Sequence, residues 1–189
     1  MKIALIVILA VLLLGGLIVF GTVKTTYNNL ATEREAIGAQ WSQVDVSLTR
    51  RADLIPNLVE TVKGFSKHEE TVFKDIADAR SALLGAHSPQ EKIDANGRLD
   101  STLGRLLVLQ ESYPQLRSNE NFLRLQDELA GTENRIAIER RKYNETVQRY
   151  NTDISLFPDN VIAGMFGFER NDAYFKTEAG QRQNPKVQF

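Results

Sequence analysis

The stretch IALIVILAVLLLGGLIVFGTV, residues 3–23, decides how the rest of the chain is read. No charge falls between Ile3 and Val23, and Lys2 and Lys24 bracket the run. At about 1.5 Å of rise per residue it reaches about 30 Å as a helix, the thickness of a hydrocarbon core. The flanking lysines can reach toward headgroups. The rival reading is a cleaved signal peptide, whose apolar stretch is about 7–15 residues long and ends at a small-x-small site. This run is longer, and nothing like Ala-x-Ala follows it. A buried soluble helix fits less well, because Ile3 to Leu14 is apolar on every face. The stretch reads as an uncleaved anchor. Lys2 stands on one side and Lys24 with Arg34 on the other, so charge asymmetry does not set the orientation. Gly15, Gly16 and Gly21 do not form a GxxxG pairing motif.

The 189 residues suffice for one domain with a sizeable core beside such an anchor. A net charge of −1 supplies no field for nucleic acid. The absence of cysteine removes disulfides, thiolate chemistry and Cys-ligated zinc. Leu, Ala, Glu, Arg and Gln dominate outside the anchor and favour helix.

Working outward, the apolar residues fall into a 3-4 rhythm. Tyr27, Leu30, Ile37, Trp41, Val44, Leu48, Ile55, Leu58, Val62 and Phe65 share one stripe, interrupted by Arg34 and Arg51. No breaker separates Val23 from Tyr27, so the anchor runs straight on into this helix, roughly 90 Å in all. Pro56 either kinks it or opens a new helix capped by Asp53; the unbroken register favours the kink. Gly64-Phe65-Ser66 reads as a stop, and Ser66 with Glu69 as a capping box. A second helix shows Val72, Ile76, Ala79 and Leu83 and ends near Gly85. Ser88 and Pro89 open a third, carrying Ile93, Leu99, Leu103, Leu106, Leu107 and Tyr113. Tyr113-Pro114 ends or bends it. Ser118 or Asn119 caps a long fourth helix, lined by Phe122, Leu125, Leu129, Ile136, Tyr143, Val147, Tyr150, Ile154 and Phe157. Short connections make this an antiparallel four-helix bundle, an all-α fold that continues from the transmembrane helix. Three parts follow: an anchor over 1–24, a bundle over 25–157, and an apolar aromatic segment with a polar tail over 158–189, of which Gln181 to Phe189 is the loose end.

The helix lengths bring the end of the fourth helix back to within roughly 10 Å of the membrane. The segment from Phe157 to Phe168 then departs from everything before it. It is apolar and aromatic, with Pro158, Ile162, Met165, Phe166 and Phe168, and Tyr174 and Phe175 come soon after. It either folds back over the end of the bundle or offers a surface to the bilayer interface, a neighbouring copy or a partner.

His68 has no second histidine at i+4, and His87 sits in a turn. No P-loop, GxGxxG or GxSxG occurs, and no tight carboxylate cluster stands out for a metal. No catalytic, cofactor-binding or metal-binding residue is expected. Arg50-Arg51 and Arg140-Arg141-Lys142 read as salt-bridged faces. Arg34 and Arg51 lie on the apolar seam and must be paired or reach out to water. Glu128, Glu133, Glu139 and Glu145 on the fourth helix are candidate partners. The pairing either sets register inside the bundle or marks a groove where another helix docks.

The stretch from Trp41 to Gly64, WSQVDVSLTRRADLIPNLVETVKG, resembles the signature of the bacterial LemA family. Tyr27-Asn-Asn-Leu30, His68-Glu69, Tyr143-Asn144, Phe157-Pro158, Phe166-Gly-Phe168 and Tyr174-Phe175 fit the same pattern, which covers nearly the whole chain. The resemblance implies a single-pass protein of the bacterial cell inner membrane with an antiparallel bundle outside the bilayer. No catalytic activity is established for the family, so the resemblance carries over no active-site residue. The family includes a protein associated with magnetosomes, and its genes often lie beside those for a membrane metalloprotease. The expected function is a non-enzymatic, membrane-anchored scaffold or adaptor that self-assembles. The alternative is an accessory factor holding substrates for a membrane metalloprotease.

Overall fold

The computed structural model describes residues 2–65 and 69–175. Its elements are α1 (Lys2–Lys63), α2 (Glu70–Gly85), α3 (Pro89–Ser112), the single turn α4 (Pro114–Arg117), α5 (Glu120–Asp153) and α6 (Asp159–Phe166). No strand occurs among the described residues, and the fold is all-α. Ser66, His68 and the tail from Gln181 to Phe189 lie outside the described residues, so the expected Ser66 cap does too.

The anchor and the first bundle helix are one continuous element. Among the described residues, α1 is the one helix long and apolar enough to cross a bilayer, and its apolar window is wholly exposed. The connections follow local chemistry. Ser88 caps α3 through a capping box with Glu91, and Pro89 occupies the first turn, where its missing N–H is harmless. The His87 and Ser88 backbone N–H groups hold the Glu91 carboxyl below its ordinary pKa. At the start of α5 the Asn119 side chain, not Ser118, accepts from the Phe122 N–H at 3.0 Å.

The chain divides into two compact units. One comprises Trp41–Asn144 and the described residues from Ala173; the other comprises Met1–Gln40 and Glu145–Asp172. In the first, cross-helix pairs fix the topology. Lys92 of α3 bonds Asp45 of α1, and Arg51 further along α1 meets Asn96 and Asp100 further along α3, so α1 and α3 run parallel. Arg105 of α3 pairs with Asp75 of α2, and Gln126 of α5 with Gln110 of α3. With Arg80 of α2 on Ala52 of α1, the order is up-down-up-down. Val44, Leu48, Ile55, Leu58, Val62, Ile76, Leu83, Leu99, Leu106, Phe122 and Ile136 fill the core.

Pro56 sits inside α1 without ending it. A helical proline has no N–H for the carbonyl four residues back, here Ala52. The Arg80 Nε–H supplies that bond from α2 at 2.8 Å. A neighbouring helix therefore satisfies the acceptor that Pro56 orphans.

Several expected core positions shift. Phe73, rather than Val72, is the first buried residue of α2, and Ile93 is half-buried. Leu107 points outward, and the rhythm of α3 is completed by buried Ala95 and Asn96. Leu129 is half-buried, with Thr132 buried one turn on. Phe157 does not continue the α5 stripe, because α5 ends at Asp153; its ring is 82% exposed.

Candidate interaction surface

In the unit of Met1–Gln40 and Glu145–Asp172, α5 lies against α1 with its C-terminal end nearest the anchor. Glu33 of α1 meets Asp153 and Arg149, and Arg34 lies near Tyr150. A turn through Leu156 and the cis Phe157-Pro158 bond leads into α6. Gly167, at φ 71°, ends α6 in the left-handed conformation that glycine adopts without strain.

One face of α6 packs inward. Ile162, Ala163 and, just beyond, Phe168 are buried. The Thr26 hydroxyl donates to the Asp159 carboxylate at 3.0 Å. The Tyr27 ring meets Phe166 and Phe168 edge-on at 5.0 and 5.5 Å. Arg34 holds its guanidinium over the Phe168 ring, 5.3 Å from the centroid, a cation–π contact. The other face is open: Leu156, Phe157, Val161, Met165 and half of Phe166 are exposed beside the anchor. Pro158 is exposed with them. The segment is thus a cover on one side and a free apolar surface on the other.

After α6 the chain returns along α5. Tyr150 donates to the Glu169 carbonyl at 2.9 Å. The Asn151 side chain grips both the N–H and the C=O of Asn171, at 2.9 and 2.7 Å. In the other unit Asn144 grips Phe175 the same way, at 3.0 and 2.8 Å. Phe175 joins Trp41 and Tyr143 in an aromatic cluster, with Arg140 over its ring. It is a packed residue, whereas Tyr174 lines an open groove of about 820 Å³ between α3 and α5. Gly97 and Ala137 make room for that groove, and Arg98, Arg140, Asp94 and Asp100 supply its charge.

The two seam arginines behave differently. Arg51 is buried, bonded to Asp100 of α3 and to Glu133 of α5, the latter at 2.8 Å. Glu133 was among the expected partners; Asp100, from α3, was not. Arg34 is exposed and rests on Phe168. Sequence reading also missed Glu33. Burial, then a hydrogen bond and the charge of Asp153, raise its pKa from 4.5 to about 7, against the pull of Arg149. Burial likewise raises the Tyr150 phenol. No group of three or more His, Cys, Asp or Glu suited to a metal occurs among the described residues.

Fold and surface together define a class: an all-α protein on an N-terminal helix fit to anchor it in a bilayer. The chain belongs to the LemA family, whose model matches residues 40–189. It is also similar to the magnetosome proteins MamQ 2 and MamQ 1 of Paramagnetospirillum magneticum. Each is 27% identical over 185 residues, covering 84% of this chain and 68% of the relative. Magnetosome protein MamQ of Magnetospirillum gryphiswaldense is 26% identical with the same coverage.

Proposed function

We propose that this chain is a membrane-anchored scaffold or adaptor of the bacterial inner membrane, which works by contact rather than by catalysis and assembles with further copies of itself. The observation that carries the membrane-anchored reading is the wholly exposed apolar window of α1, with the exposed apolar face of α6 beside it. Exposed apolar surface of this kind marks a contact site. The length and hydropathy of α1 support the membrane setting. The test is the mass of the full-length protein extracted in mild detergent. The expected result is a discrete assembly of several copies; a monomer at every concentration overturns self-assembly.

One observation favours the second reading, an accessory factor for a membrane metalloprotease. The groove between α3 and α5 is open, and it lies beside an extended stretch of chain held by its backbone at Phe175. It could hold a protease's extended substrate the same way. That reading predicts co-purification with a protease, and loss of it when Gly97→Gln fills the groove.

A further inference from the structure

Three distances locate α6 against the anchor. The apolar run ends at Val23-Lys24, so the hydrocarbon boundary falls there. Thr26 and Tyr27 lie about 3 and 4.5 Å further along α1 at 1.5 Å per residue. The headgroup layer on each side of a bilayer is about 5–8 Å thick. Both residues are therefore at headgroup depth, and both touch α6.

Orientation follows from which ends they touch. The first residue of α6, Asp159, bonds Thr26, and the last, Phe166, packs on Tyr27. These ends are about 10.5 Å apart along α6, while Thr26 and Tyr27 are about 1.5 Å apart along α1. A helix lying alongside α1 would engage residues a full two turns apart. So α6 crosses α1, and since transmembrane helices tilt only about 20° on average, α6 lies close to the membrane plane. Its α5 side is covered, because α5 ends at Asp153 and the chain beyond α6 returns to Tyr150. The remaining face carries Val161 and Met165, one turn apart and 52% and 73% exposed, with Phe157 leading into it. That face looks away from α5.

We infer that α6, with Leu156 and Phe157, lies in the headgroup layer of the leaflet from which α1 emerges, with Val161 and Met165 against lipid. The partner of this face is the bilayer itself, an inference that rests on the membrane-anchored reading above; self-assembly then runs through other surfaces. The chemistry also says which lipid. The cations near α6, Lys24, Arg34, Arg149 and Arg170, are offset by Asp153, Asp159, Glu169 and Asp172, so no net positive patch faces the lipid. Binding is driven by apolar area, so zwitterionic lipid suffices and salt has little effect.

The chain has no cysteine, so single labels report cleanly. Full-length Met165→Cys, Val161→Cys and Ala39→Cys variants carry an environment-sensitive fluorophore in phosphatidylcholine vesicles containing lipids with a nitroxide high on the acyl chain. Ala39 is exposed on α1, about 22 Å past Lys24. The expected result is blue-shifted emission at 161 and 165, quenching by the lipid nitroxide and protection from aqueous iodide. The label at 39 should show the reverse, and added phosphatidylglycerol or salt should change neither. Labels at 161 and 165 that behave like the one at 39 overturn the inference. So does shielding from iodide without lipid quenching, with energy transfer between labelled copies, which assigns the face to a second chain. The scaffold reading fails separately, on a monomeric mass in detergent with the lipid quenching intact.

Discussion

Arg34 and Arg51 give the same signal in the sequence, an arginine interrupting the apolar stripe of one helix, and the structure resolves them oppositely. Arg51 is sunk among α1, α3 and α5 and held by two carboxylates. Arg34 stays at the surface with its guanidinium over the Phe168 ring. The difference is what the chain places opposite each position. Three helices close around Arg51, and such a charge must be paired. A short crossing helix with aromatic residues stands opposite Arg34, and a guanidinium can stack there while staying wet. A charge on a seam thus identifies a special position, but the opposing segment decides whether it locks a core or shelters a surface.

The largest effect should come from Arg51. Arg51→Ala leaves Asp100 and Glu133 facing each other and should cost about 3 kcal/mol, the lower end for a broken buried pair because both acids are partly exposed. Denaturant unfolding measures it; a loss under about 1 kcal/mol means the charges do not lock the helices. Next is the bond that accommodates Pro56. Arg80→Met should cost about 1–2 kcal/mol by stranding the Ala52 carbonyl. In a Pro56→Ala background the helix supplies its own N–H, so the cost should largely vanish. A double-mutant cycle with no coupling refutes this role for Arg80.

The unit that holds Arg34 should show a pH dependence. The folded pKa of Glu33 is raised to about 7 from 4.5. The folded state therefore holds the proton more tightly than the unfolded chain, and this unit is most stable below about pH 4.5. That stability is lost as pH rises through about 7. Glu33→Gln should flatten the thermal midpoint across this window and raise it at the alkaline end; an unchanged slope shows that Glu33 is not the titrating group. The smallest effect is at Arg34 itself. Arg34→Ala should cost less than about 1 kcal/mol, the worth of an exposed cation–π contact.

The anchor, the helix order and the capping at Ser88 and Asn119 were legible because each is a local matter of hydropathy, breakers and side chains next to their own backbone. What the sequence did not show depends on the partner element. A stripe about 100° wide cannot choose between neighbours such as Val72 and Phe73, or Leu106 and Leu107; the facing helix chooses. Asn96 and Thr132 are buried in polar gaps of the apolar rhythm, and Asp100 was invisible as a partner because it sits on α3 rather than α5. The Arg80–Ala52 bond did leave a trace: a proline inside a helix announces an orphan carbonyl four residues earlier. The aromatic segment was visible as an anomaly, but its two faces follow from how α6 crosses α1.

The two faces of α6 can be compared in one experiment, thermal unfolding of the full-length protein. Phe168→Ser removes a buried ring and should lower the midpoint by about 6–12 °C, from about 3 kcal/mol lost. The double variant Phe157→Ser, Met165→Ser changes only exposed side chains and should shift it by less than about 2 °C. A double variant that melts as early as Phe168→Ser would contradict the division of α6, and would make the whole segment a plug in the fold.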